Sequence, residues 1–276
     1  MLQLFRNDYF RYNGKDSSEI CNLVLCEVGN GDITEIQNGL NRQTENADKN
    51  GYVSVTNNTI KFEIGLTKMD DKGLNPLGFT DDELFEINRW LLGGTRKYKP
   101  LEQDGYVYYA IFTSGTKWFN SYDKKTGYLK YEVEMLPYCY SPFVEQTVKL
   151  SDKDLEKEIQ LYNNSNVEEN DIGLNLDVSL LDDGDYLKIE NLTNGTIMEF
   201  VDMSDDECKK FQIIGEDLFG NKIHILKSLI DEDYNLMRHT YVRKWLNLYY
   251  GMNNLKITSN GAVTVKIKYR NKIQIM

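Results

Sequence analysis

Tyr106-Val107-Tyr108-Tyr109-Ala110-Ile111-Phe112 decides the fold class. So short a run of aromatic and β-branched side chains suits a pleated, half-buried strand, whereas a helix would restrict most of those χ1 rotors against its preceding turn. Just before it lies the one segment of the first half with helical periodicity. Thr80 can offer its side-chain oxygen to a first turn, and Glu83 stands three residues on, where it can reach back. Asp81 and Asp82 suit the positive end of the helix dipole. Leu84, Ile87 and Leu91 share a face, Phe85 and Trp90 widen it, and Gly93-Gly94 offers a left-handed stop. The spacing predicts a helix over 80–94 that covers an open edge or face of a sheet.

Working outward, 127–136 is a second aromatic and β-branched strand, reached through a loop holding Trp118 and Tyr122. Pro137 and Pro142 flank Tyr138-Cys139-Tyr140; a fixed φ and a missing amide donor predict that no sheet strand continues there, and the domain boundary is placed at 142–151. Upstream, 8–15 reads as a strand closing on an Asn13-Gly14 turn, 22–28 as another, and 58–66 as a half-buried strand with Ile60, Phe62 and Ile64 on one side. Between them, 29–51 is polar and aperiodic, and is expected to be a long loop or extended hairpin arm. Downstream, short strands recur between Asn-, Asp- and Gly-bearing turns: 159–162, 172–181, 185–191, 196–202, 210–215, 221–231, 255–258 and 262–270. That rhythm belongs to a β-sandwich. At 276 residues the chain accommodates two β domains, each with its own core.

Asp and Glu outnumber Lys and Arg by 43 to 32, a formal net charge of -11, so the field of the whole molecule repels phosphate backbones and anionic lipid. Specific nucleic-acid binding and membrane insertion are not expected. Cys21, Cys26, Cys139 and Cys208 have no spacing that tetrahedral zinc requires and read as reduced, mostly buried thiols. Arg6 and Asp8 interrupt any apolar run near the start, so no secretory signal is read there. His224 and His239 fall in separate segments. The acidic clusters Asp81-Asp82-Glu83, Asp182-Asp183, Asp205-Asp206-Glu207 and Asp231-Glu232-Asp233 resemble the paired acids of a glycosidase only superficially, and read as caps, turns and loops. No phosphate-cradling glycine loop is present. The expectation is a protein without catalytic residues, cofactor or metal. Its 19 Tyr and 3 Trp leave aromatic candidates for sugar or partner contacts: Trp118, Tyr122, Tyr249 and Tyr250.

The ordered features resemble the distal tail proteins of long-tailed bacteriophages. The likeness runs through Phe10-Arg11-Tyr12-Asn13-Gly14-Lys15-Asp16-Ser17-Ser18, the helix ending Arg89-Trp90-Leu91-Leu92, Lys99-Pro100-Leu101, the 129–137 strand, Ile159-Gln160-Leu161-Tyr162-Asn163-Asn164, 186–193, 223–231, and 245–257, which resembles the family's Leu-x-x-Gly-x-Asn-x-Ile ending. It spans nearly the whole chain and lies in the order of motifs rather than in any one of them. The polar arm departs from the more basic hairpin of the family, with Arg42 and Lys49 as its positive charges. The resemblance implies a mainly β protein: a sandwich or barrel-like ring domain with one α-helix over 1–145, then a galectin-like or carbohydrate-module-like β-sandwich over 146–276. It further implies a homohexameric structural hub at the distal end of the virion tail, made in the host cytoplasm. The implied partners are the tail tube, tip and tape-measure proteins, with receptor-binding or baseplate proteins outside. Asn38, Arg42 and Lys49 on the arm are the interface candidates. The alternative is a carbohydrate-binding module that adheres to cell-wall glycans on the host surface.

Overall fold

The computed structural model describes residues 9–26, 59–93, 97–166, 171–181, 184–217 and 220–275 in full, and 40–44 and 53–57 as backbone. The chain divides into two compact units, Met1–Ser141 with Gln274–Met276, and Pro142–Ile273. Both are built of antiparallel β-structure, so the mainly β expectation is borne out. No described helix is long and apolar enough to cross a membrane.

In the first unit, Arg11–Tyr12 (β1) and Lys15–Asp16 (β2) flank the Asn13-Gly14 turn, where both residues take positive φ, 51° and 80°. Leu23–Cys26 (β3) follows, then Leu40–Thr44 (β4), Val53–Asn57 (β5) and Ile60–Lys68 (β6). After the helix Asp81–Leu91 (α1) come Lys99–Gln103 (β7) and the two 14-residue strands Tyr106–Phe119 (β8) and Gly127–Tyr140 (β9). One sheet runs β2-β1-β7-β8-β9-β6-β3, while β4 and β5 pair with each other and, among the described residues, with no other strand. The chain returns to this unit at its end, where the Ile275 amide donates to the Pro137 carbonyl at 2.8 Å.

The helix forms as its sequence requires. Thr80 Oγ1 accepts from the Glu83 amide at 3.3 Å and Glu83 Oε2 accepts from the Thr80 amide at 2.8 Å, closing the capping box. Leu84, Ile87, Trp90 and Leu91 are buried. Phe85, expected to widen that face, is instead 69% exposed, because its position on the helix wheel lies beyond the buried stripe. Gly93 does not stop the helix through a left-handed φ; a Cβ there would lie 2.3 Å from the Arg89 carbonyl oxygen, so close approach demands glycine. Gly94 lies outside the described residues.

Two further expectations are corrected. The strand does not stop at Phe112 before a loop: β8 continues to Phe119, so Trp118 sits in a strand and Tyr122 in the turn beyond. Pairing with β9 holds this stretch extended although Thr113-Ser114-Gly115-Thr116 carries no apolar alternation. Nor does Pro137 end β9. The register between β8 and β9 shifts near there, after Tyr108 and before Ala110, and such an irregularity accommodates a residue without an amide donor.

The second unit is a two-layer sandwich. One sheet takes Val144–Leu150 (β10), Asn175–Leu180 (β13), Lys210–Glu216 (β16), Lys222–Ser228 (β17) and Val263–Tyr269 (β21) in the order β10-β21-β13-β16-β17. The other takes Glu156–Asn163 (β11), Leu187–Asn191 (β14), Thr196–Phe200 (β15), Thr240–Lys244 (β18) and Gly251–Ser259 (β20) in the order β11-β20-β14-β15-β18. Ile172–Gly173 (β12) and Asn247–Leu248 (β19) make a separate short pair. Alternate residues of both sheets, such as Leu176, Val178, Val265 and Ile267 facing Ile189, Met198, Leu255 and Ile257, close one apolar core.

One carboxyl is set into this unit. Glu216 Oε1 accepts from the Gly173 amide at 2.6 Å, and burial pushes its pKa up to about 7 against the opposing pull of that hydrogen bond and of Lys222 and Lys272. The unfolded chain releases this proton near the ordinary carboxyl pKa, so the folded state holds more protons between about 4.5 and 7. Stability contributed by the retained proton is therefore full below that window and is lost as pH rises through it. Glu216→Gln should match the parent near pH 4 and exceed it by roughly 1–3 kcal/mol at pH 8, read from urea unfolding across pH. A constant difference across that range would refute the assignment.

Candidate functional site

The four aromatic candidates fall on two surfaces, one on each unit. The first is the tip of the β8–β9 hairpin. Trp118 and Tyr128 face each other across the strands and stack at 6.2 Å with ring planes 3° apart, leaving Trp118 54% exposed. Tyr122, 95% exposed, is carried on a turn braced by Asn120 and Asp123. The Asp123 carboxylate accepts from the Lys125 and Thr126 amides, which hold its pKa below the usual carboxylate range. Phe119 anchors the base of the tip by stacking on buried Phe79 at 5.9 Å.

The second surface is the turn from β19 into β20, which carries Tyr249 and Tyr250, both about half exposed. Asparagines build it. Asn253, fully buried, accepts from the Tyr249 amide at 3.0 Å and from Asn191 Nδ2 at 3.1 Å, and donates to the carbonyls of Tyr249 at 2.7 Å and Gly251 at 3.0 Å. Asn191 and Asn194 both donate to the Asn247 carbonyl, and Asn163 donates to that of Leu248. Gly251 takes φ +87°, which explains the glycine in the Leu-x-x-Gly-x-Asn pattern: Leu248 is core, Gly251 turns and Asn253 ties the turn. Beside the turn, Tyr162 and Met252 form an exposed cross-strand pair, with exposed Gln160 and Asn254 as the next pair inward.

The structure thus places Trp118 with Tyr122 and Tyr249 with Tyr250, and adds Tyr162 and Met252, which sequence spacing did not connect. Of the arm residues, Arg42 lies in β4, while Asn38 and Lys49 lie outside the described residues. The acidic clusters are engaged in local structure: Glu83 closes the cap, and Asp205 accepts from the Tyr234 hydroxyl at 2.6 Å and from Arg238 at 2.7 Å. Asp182 and Asp183 lie outside the described residues. His224 stacks on Trp245 and His239 on Tyr234. Among the described residues no group of three His, Cys, Asp or Glu could hold a metal ion.

A two-unit β protein with long hairpins and displayed aromatics is the class that fold and surface define. Residues 5–135 match the family model described as phage tail protein N-terminal domain, DUF6558. The fold is similar to that of the Dit (gp 19.1) protein of SPP1, described as a paradigm of the hub adsorption apparatus in phages infecting Gram-positive hosts: identity is 12%, 96% of this chain and 98% of that one are covered, and the TM-score is 0.52. The phage P2 baseplate in its activated conformation with Ca is similar at 10% identity, 92% coverage of each chain and a TM-score of 0.43. No curated protein sequence matches the chain. The resemblance to the distal tail proteins carried by the order of the sequence motifs is borne out: residues 5–135 match a phage tail domain, and the fold is similar to that of a Dit protein over 96% of the chain.

Proposed function

We propose that this chain is a non-enzymatic structural subunit of the tail hub of a phage or prophage. Six copies close into a ring that joins the tail tube to the tip at the distal end of the virion tail. The first unit builds the belt around the channel and the second faces outward. The tail tube protein, tip protein and tape-measure protein are its axial partners, and receptor-binding or baseplate proteins its peripheral ones. The observation that carries this reading is the phage tail match over 5–135, which covers most of the first unit's sheet. A head-to-tail contact that closes after a fixed rotation makes a ring, and a sheet with an open edge suits such a contact. Light scattering behind size exclusion is expected to give a particle six times the 32.1 kDa chain, and negative-stain images a ring with a central hole. Intact particles that lack this polypeptide at the tail extremity would overturn the proposal.

The Tyr162, Tyr249, Tyr250 and Met252 surface, with exposed amides at Gln160 and Asn254, favours a second reading, in which the outer sandwich binds cell-wall glycan. Aromatic faces stack on pyranose rings and amides fix hydroxyls. Tyr250→Ala should then weaken cosedimentation with purified cell walls at least about tenfold, a loss of roughly 1.4 kcal/mol. Equal sedimentation of the two proteins would remove this reading and leave the hub untouched.

A further inference from the structure

The turn that displays Tyr249 and Tyr250 is backed by a short strand that one carboxyl holds in place. β12 is two residues long and, among the described residues, pairs only with β19, Ile172 opposite Leu248 and Gly173 opposite Asn247. Asp171, just before it, accepts from Asn247 Nδ2 at 3.0 Å, and Tyr249 follows β19 directly. Toward β16 the strand has no ladder of its own. There the Gly173 amide donates to Glu216 Oε1 at 2.6 Å, and the approach is close enough to demand glycine: a Cβ on Gly173 would lie 2.8 Å from Glu216 Cγ and 2.8 Å from the Gly215 carbonyl carbon. The residues that follow are tied to β16 by groups that do not ionise. The Gly215 amide donates to the Leu174 carbonyl at 3.1 Å, and Asn175 Oδ1 accepts from the Gly215 and Glu216 amides at 2.9 and 3.1 Å. Glu216 is thus the titratable link in the contacts that seat β12 on β16.

Few charges face this carboxyl. Lys222 of β17 stands opposite it in register, Lys272 adds a second cation whose own pKa burial pulls down, and Asp217 adds a like charge from the next position. β12 and β13 present amides, those of Gly173 and Asn175. Burial outweighs the cations, so the proton is kept to about pH 7. Once it leaves, the anion is relieved by moving toward water and Lys222, which takes it off Gly173. A two-residue strand has little else to hold it and belongs to the low-stability end of the fold. We propose that Glu216 is a latch on the aromatic surface: with its carboxyl neutral, β12 sits against β16 and backs β19, and ionisation lets 171–173 open and the Tyr249–Tyr250 turn loosen with it. Order in the turn is set this way whether the surface takes glycan or a protein partner. An opened segment releases the proton at the ordinary carboxyl value, so opening is suppressed below about pH 4.5, grows by up to about tenfold per pH unit to about pH 7, and is level above that.

Amide exchange of the full chain, with each rate divided by its random-coil value at the same pH, tests the latch. From pH 5 to pH 8, protection at Gly173 and Tyr249 is expected to fall at least about tenfold, with Val178 of β13 and Val265 of β21 unmoved. Glu216→Gln keeps an acceptor for Gly173 and cannot ionise, so both amides should stay as protected at pH 8 as at pH 5. Protection that is level with pH in the parent protein, or that falls equally in Glu216→Gln, overturns the latch. So does a fall at Gly173 with Tyr249 unmoved, because the strand would then open without the turn. Should the glutamine variant not fold, the parent profile decides alone: opening that levels above about pH 7 upholds the latch, and opening that still climbs past pH 8 overturns it.

Discussion

Trp90→Ala is expected to lower the stability of the first unit by about 3–5 kcal/mol. Trp90 is the point where helix and sheet interlock. Its indole stacks on Phe10 at 5.6 Å and meets Tyr12 edge-on at 6.1 Å, while Phe112 closes on Tyr12 at 4.8 Å. The indole nitrogen also donates to the Tyr12 carbonyl at 3.0 Å. Truncation removes the aromatic volume from a close-packed site, and it leaves a carbonyl in β1 without that donor. The two losses fall on the same place, where β1 is only two residues long and has little ladder of its own. Urea unfolding followed by circular dichroism should show a lower midpoint for the first unit, with the second unit's transition unmoved. Trp90→Phe, which retains most of the stacking and loses the donor, should recover more than half of the deficit. A deficit below about 1 kcal/mol for the alanine variant would mean that α1 is not held by this cluster.

How much of this was legible depended on the range of the interactions. The helix start was legible because a capping box is local: Thr80, Asp81, Asp82 and Glu83 determine it among themselves. The face of α1 was legible apart from Phe85, since periodicity states which positions align but not how wide the cover is. The distal half of β8 was not legible, because its extended state comes from β9, whose register partners Glu132, Tyr131 and Lys130 lie far along the chain from Ser114, Gly115 and Thr116. Continuation through Pro137 was hidden for a related reason. The rule that proline ends strands assumes a regular ladder, whereas β9 is irregular there and Pro137 needs only its carbonyl, which Ile275 engages. The asparagine support behind Tyr249 and Tyr250 was legible only as a pattern. Asparagine signals a turn in sequence, and nothing local reveals that Asn191, Asn253 and Asn247 meet in the fold.

That support leads to the second large effect. Asn253→Ala is expected to cost about 3–4 kcal/mol in the second unit, from an exchange that removes little apolar contact. The side chain is wholly buried and uses its oxygen twice and its amide twice. Alanine leaves the Tyr249 amide and one Asn191 amide hydrogen without this acceptor, at about 1–3 kcal/mol for each buried donor left unmet, and frees two carbonyls as well. Asn253→Asp discriminates between geometry and hydrogen-bond polarity. It keeps both acceptor contacts but turns the donor edge into an anion facing the carbonyls of Tyr249 and Gly251, so it should be destabilised at pH 8 and partly restored near pH 4, where a protonated acid regains one donor. A turn held by packing alone would tolerate both changes within about 1 kcal/mol. Because three of these four hydrogen bonds fix Tyr249 and Gly251, the alanine variant should also give up the ordered display of Tyr249 and Tyr250. The measurement is accelerated amide hydrogen exchange across 249–253, with the sandwich strands β13 and β21 still protected.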